Sequence, residues 1–274
     1  IARKDNELVR DIIMEYILED NKLVREGNLN PNTVPNHIKP IKALLDSAAI
    51  TIHWKSLYKL YPEEKKSEDR AYTREELQKM LDCSADLTDK VIVLVYSSSA
   101  IRVGAWDYLT WKDVIFFKND RDDCEGAALR IYRGEIQIHP TFVTPEACKA
   151  LESYRELWKS QTGKYPSQDD PLLKTTKSKF VRRLGSRGVK KRVDRLVRKI
   201  GLRVHLPPGK KRYEVALDHG FRKYCNTMMR RAKVNYLDKE DIMGHKVGLE
   251  KHYERYNKED FEQFPEYQKA IPFL

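Results

Sequence analysis

Along the first sixty residues, hydrophobic positions recur at helical spacing. Leu8, Ile12, Ile13, Tyr16 and Ile17 form one such set, and Val34, Ile38, Ile41, Leu44 and Leu45 form a second. Between them EGNLNPNT supplies Gly, Asn and Pro, which predicts a turn joining two helices. The periodicity then stops: YPEEKKSEDRAY, residues 61–72, is charged, polar and broken by a Pro, as a linker would be. Thr73-Arg-Glu-Glu76 restarts the pattern as a capping box, with Thr73 as N-cap and Glu76 at the third helical position. A further helix is predicted over Asp86–Ser98.

The spacing then changes from helical to extended. Val114–Phe117, Ala128–Tyr132 and Glu135–His139 are short runs rich in β-branched and aromatic residues, separated by turn residues. They predict a small antiparallel sheet of three strands. Pro145-Glu-Ala opens another helix, since Pro suits a first helical turn. From there helical patterns alternate with Gly/Pro breaks at Gly163–Pro171, Pro207–Gly209 and Gly244. The fold class is therefore mostly α with one small antiparallel sheet. The domains are placed at 1–66 and 73–274, with a linker at 67–72.

Charge adds a second layer. The chain of 274 residues carries a net +11. Residues 1–66 hold 11 basic and 10 acidic side chains, so the excess lies almost wholly in the second domain. Lys174–Arg212 alone has 16 Lys and Arg against one acid, Asp194. Such a run is either a solvated face or a surface for a polyanion, whose neutralised phosphates release counterions. The longest apolar run, Val91–Tyr96, is far short of a membrane span. The charged start lacks the apolar core of a signal peptide, and without an initiator Met it reads as part of a longer chain. Cys83, Cys124, Cys148 and Cys225 are scattered without a CxxC pair. They are expected to be reduced thiols of a cytoplasmic protein, with no metal site.

Four short pieces carry candidate chemistry, in order. Arg102 follows the predicted helix at a Gly-containing turn, with Leu109 and Trp111 downstream. A guanidinium there presents a permanent charge and a planar fork suited to phosphate. His219 and Arg222 are one helical turn apart and share a face. Gly244-His245 and His252-Tyr253-Glu254-Arg255-Tyr256 complete the set. Singly, each is an ordinary surface or packing residue; the order and spacing of all four carry the weight.

That arrangement resembles the tyrosine recombinase (phage integrase, Xer-like) family over nearly the whole chain. The stretch IYRGEIQIHPTFVTPEA and the tail H-Y-E-R-Y resemble archaeal members in particular. The resemblance implies a two-domain, C-shaped clamp on duplex DNA, with a helical core-binding domain followed by a catalytic domain. It implies site-specific recombination, in integration or excision, through a 3′-phosphotyrosyl intermediate and without cofactor or metal. Arg102, Arg222, His219 and His245 would hold the phosphate and move protons, and Tyr253 would attack, with Tyr256 as rival nucleophile. Ala100 and Ala105 depart from the family's usual Gly and Glu. The family's hairpin lysine falls on Arg133, and Lys118 is the nearest lysine in the sheet region. Strand exchange would run through a Holliday junction in a homotetramer on DNA. There the tail Asn257–Leu274 docks on a neighbouring copy, unless it closes its own core. Two other readings remain: a DNA-binding relative with weak or no strand exchange, and a type IB topoisomerase-like relaxing enzyme.

Overall fold

The computed structural model of the chain describes residues 6–65, 69–135, 137–175, 180–203, 206, 212–245 and 261–274. The chain divides into two compact units, Ile1–Glu68 and Asp69–Leu274.

The first unit is helical. Helices α1 (Asn6–Arg25), α2 (Val34–Ser47) and the short α3 (Trp54–Tyr58) enclose one core. Ile13 and Ile17 of α1 meet Val34, Ile38 and Leu45 of α2 and Leu57 of α3 there. The turn between α1 and α2 falls at EGNLNPNT, with Gly27 at φ +74°. On the surface, Lys42 donates to the Tyr58 hydroxyl at 2.9 Å and lies over the Trp54 ring.

The second unit begins earlier than the polarity of 61–72 suggests. Arg70 bridges Glu76 and Glu214, and Lys223 pairs with Asp69. The Tyr72 ring is buried 4.6 Å from that of Phe221. Asp69–Tyr72 are thus built into this unit, because their charges find partners that are distant in sequence. Helix α4 (Arg74–Asp82) opens with both hydrogen bonds of the Thr73/Glu76 capping box. Helix α5 (Leu87–Ser99), capped by Asp86 on the Asp89 amide, is buried over most of its length and forms the centre of the core.

Strands β1 (Val114–Lys118), β2 (Cys124–Ile131) and β3 (His139–Val143) form one antiparallel sheet in the order β1-β2-β3. The third strand lies beyond the predicted Glu135–His139. Tyr132 and Gly134 take positive φ, and Glu135 bonds back to the Tyr132 carbonyl, so the chain turns there instead of extending. Pro140 is accommodated because β3 is an edge strand. Helices α6 (Pro145–Thr162), α7 (Ser186–Lys199), α8 (His219–Arg231), α9 (Tyr236–Ile242) and α10 (Phe264–Gln268) complete a mostly helical unit. No helix among the described residues is long and apolar enough to cross a membrane.

One expectation changes. Cys124 and Cys148, expected as free thiols, are joined in a disulfide with Cα atoms 6.4 Å apart. They are 24 residues apart in sequence and meet only because α6 packs on β2. Cys83 and Cys225 are free. The described part of the tail, 261–274, lies on its own chain. Phe264 and Tyr267 pack against Phe117 and Phe142, and the Tyr267 hydroxyl donates to the Ser98 carbonyl at 3.0 Å. Burial of two such aromatic side chains contributes several kcal/mol.

Candidate active site

The site is organised by the end of one helix. The last carbonyls of a helix have no partner within it and need donors from elsewhere. Helix α5 ends where Ala100 takes a left-handed φ of +53°. The Ser98 carbonyl then accepts from Tyr267 and from the Cys225 thiol at 3.1 Å. The Ser99 carbonyl accepts from the Thr141 hydroxyl, and the Ala100 carbonyl from Nη1 of Arg222, both at 2.5 Å. The negative end of the α5 dipole therefore faces the Arg222 cation.

Arg222 is 5% exposed. Its Nη2 donates to the Met243 carbonyl and to Nε2 of His245, the latter at 2.8 Å. Arg102, in extended backbone after α5, reaches the next carbonyl of the same turn, with Nη2 3.5 Å from the oxygen of Gly244. Two guanidinium groups thus converge on Met243-Gly244-His245. Among the described residues, the hydrogen bonds of Arg222 go to two carbonyls and one imidazole, none to a carboxylate. Burial, and next the charge of Arg102, pull Arg222 down from the ordinary arginine value to about 10. A buried cation beside a second cation, with no carboxylate bonded to it among the described residues, is a seat for an anion.

The turn itself is tightly specified. Gly244 has φ +62°, and a Cβ there would collide with the His139 ring. His139, on β3, is buried, with Nδ1 2.9 Å from the Gln137 carbonyl. On the other side of His245, Nδ1 lies 2.7 Å from Oε2 of Glu240 on α9. Hydrogen bonds from Lys239 and His245 outweigh the opposing effect of burial and hold the Glu240 carboxyl below its usual range.

Of the residues singled out in the sequence, the structure therefore brings Arg102, Arg222 and His245 together. His219 is the first residue of α8, exposed and one turn from Arg222. Arg133 sits exposed in the turn between β2 and β3 and makes no hydrogen bond to these residues among those described. Lys118 lies at the opposite end of β2, roughly 20–25 Å away at ~3.3 Å per residue. It is held there by Asp122 at 3.0 Å and Glu152 at 3.2 Å. Tyr253 and Tyr256 lie outside the described residues. Leu109 and Trp111 are buried core, with Trp111 stacked on Tyr154. Glu240 and His139 went unnoticed in the sequence. The first is joined to His245 only by the bend after α9, and the second arrives from another element.

The basic segment is less bare than its composition suggests. Asp89, fully buried, holds Arg192 and Arg195 at 2.7 Å each, and Asp86 also binds Arg192. Asp194 takes Arg198 at 2.7 Å. Arg183 donates to the Leu109 carbonyl, and Lys174 is buried against Gln161. Arg182, Arg187 and Lys191 on this stretch remain as outward or partly exposed charge.

No protein-family model matches the chain, and no curated protein matches it. Solved structures do. XerH site-specific recombinase bound to a palindromic difH substrate, a post-cleavage complex, is similar at TM-score 0.62 and 16% identity, over 93% of this chain and 70% of that one. The Tn1549 transposon integrase with a circular-intermediate DNA is similar at 0.59 and 15% identity, over 86% and 77%. A lambda integrase dimer bound to a COC′ core site is similar at 0.56 and 13% identity, over 89% and 80%. At these identities the likeness speaks for the fold, and the chain has the fold of the tyrosine recombinase catalytic domain.

Proposed function

We propose that this protein is a site-specific DNA recombinase that cleaves and rejoins strands through a 3′-phosphotyrosyl intermediate. The observation that carries the reading is the pair Arg102 and Arg222, two guanidiniums converging beside His245 with no carboxylate bonded to either among the described residues. In this fold, that pair is where a phosphodiester would sit. The first unit, with Lys42 among Trp54 and Tyr58, and the exposed cations of 182–191 would bind the duplex backbone.

In the proposed reaction the Tyr253 hydroxyl attacks phosphorus. The O–P bond to tyrosine forms, the bond to the 5′ oxygen breaks, and the leaving oxygen takes a proton from solvent water to become a 5′-hydroxyl. Arg102 and Arg222 hold the non-bridging oxygens and stabilise the charge that builds on them. His219 takes the tyrosine proton. Arg133 would add charge near the leaving group; a guanidinium is a poor proton donor. Strand exchange in a homotetramer belongs to the same proposal.

The test is incubation of the full chain with candidate att-like duplexes, followed by denaturing electrophoresis and mass spectrometric mapping. The expected result is a covalent DNA adduct on Tyr253, lost in Tyr253→Phe. An adduct on Tyr256 would overturn the assignment of the nucleophile, and tight binding without any adduct would favour a DNA-binding relative. Relaxation of nonspecific supercoiled plasmid by a monomer would favour the topoisomerase-like reading.

A further inference from the structure

His245 sits in a chain of three groups whose hydrogen-bonding roles are forced. Arg222 has only donors, so Nε2 of His245, 2.8 Å away, accepts and carries no proton. The proton of the neutral ring is then on Nδ1, which donates to the Glu240 carboxylate at 2.7 Å. In this arrangement His245 offers nothing to an anion; its lone pair is spent on the guanidinium.

We propose that Glu240 is a positioning residue of this site, with two tasks. In the empty site its carboxylate fixes the Nδ1–H tautomer, so that Nε2 holds the Arg222 fork against the turn. When a phosphate oxygen arrives, Nε2 takes up a proton from solvent and donates to that oxygen, and Glu240 carries the imidazolium so formed. Arg222 is freed at the same moment to turn one N–H toward the phosphate. The inference rests on the phosphate-binding reading given above.

Other charges face His245 as well. Arg222 from α8 bonds its Nε2, and Arg102 from the turn after α5 reaches the Gly244 carbonyl beside it. Lys239 binds Glu240 at 2.9 Å and shares its carboxylate. His139 from β3 lies behind Gly244. Glu240 sets its carboxylate against His245 beside these cations, and its side chain is 13% exposed.

The experiment is nitrogen-15 NMR of the His245 ring in the full chain, with inorganic phosphate as the probe. Near neutral pH without phosphate, Nδ1 should be protonated and Nε2 bare; the opposite tautomer would overturn the proposal. Saturating phosphate should bring a proton to Nε2 as well, read in the same nitrogen-15 spectrum. Glu240→Gln keeps an acceptor for Nδ1 but removes the charge, and should cut the ratio of doubly protonated to neutral ring under saturating phosphate about tenfold at the same pH. Glu240→Asp should recover part of it. A Glu240→Gln protein whose ring takes up the second proton as the wild type does would sink the idea, and if that variant does not fold, the wild-type tautomer still decides. The tautomer is read without DNA. Its presence in a chain that forms no DNA adduct would refute only the recombinase reading, and its absence in a chain that does would refute only the role of Glu240.

Discussion

If Arg222 is a buried cation awaiting an anion, phosphate should stabilise the protein by an amount its burial sets. Its depression from the ordinary arginine value to about 10 corresponds to roughly 3 kcal/mol. The folded value lies below the unfolded one, so this cost is fully present below about pH 10 and is relieved only as pH climbs above it toward the unfolded value. At neutral pH an anion that merely cancels it would bind with a dissociation constant of several millimolar, since 1.4 kcal/mol is about tenfold. At 100-fold lower or equal concentrations the effect is small, but at ~100 mM phosphate the gain is roughly 2 kcal/mol. For a unit of this size that raises Tm by about 3–7 °C. The perturbation is Arg222→Met, which keeps an apolar stem and removes the cation. It loses three hydrogen bonds but also the burial cost, so its own stability should fall by no more than about 2 kcal/mol. The assay is thermal melting in phosphate against chloride at matched ionic strength. Exclusion of phosphate from protein surfaces stabilises both proteins, so the informative quantity is the difference between them. Arg102→Met, which leaves the bonds of Arg222 intact, should show an intermediate shift. Equal phosphate shifts in wild type and Arg222→Met would refute the reasoning.

Three further outcomes follow from the same structure. Asp218 is half-buried with its carboxyl pushed up by burial, so its ionised form disfavours folding and the cost appears as pH rises above 3.8. Asp218→Asn should therefore raise stability at pH 7 and have no such effect at pH 3, as measured by urea unfolding. Reduction of Cys124–Cys148, which closes a loop of 24 residues, should cost about 3–4 kcal/mol on the chain-entropy account, and Cys148→Ser should match it; unchanged midpoints with reductant would argue against the bond. Gly244→Ala should cost about 1–3 kcal/mol from its left-handed backbone and displace His139, with loss of the phosphate-dependent melting shift.

Much of the fold was legible because it is local. The Thr73/Glu76 box, the Asp86 cap and the Pro145 start are fixed by residues within one turn of each other, and each appears where the pattern placed it. The third strand was misplaced because alternation in Glu135–His139 looks extended, whereas Tyr132 and Gly134 reverse the chain there. The Cys124–Cys148 bond and the neutralisation of Arg192 and Arg195 by Asp89 are contacts across elements, with no sequence spacing to announce them. The same divide runs through the site. Arg102, Arg222 and His245 stood out by type and order, while Glu240 and His139 matter only through what they touch.

The three carbonyls that end α5 have a consequence for the order of folding. Their donors come from 42, 122, 127 and 169 residues further along the chain. Contacts of such separation form late, after closure of long loops has been offset by other burial. The exposed cations of 182–191, such as Arg187 and Lys191, need none of them. A chain part-way through folding would therefore already attract polyanions while its paired guanidiniums were still apart. Intermediates of this protein should stick to nucleic acid before they acquire any selective grip on a single phosphate.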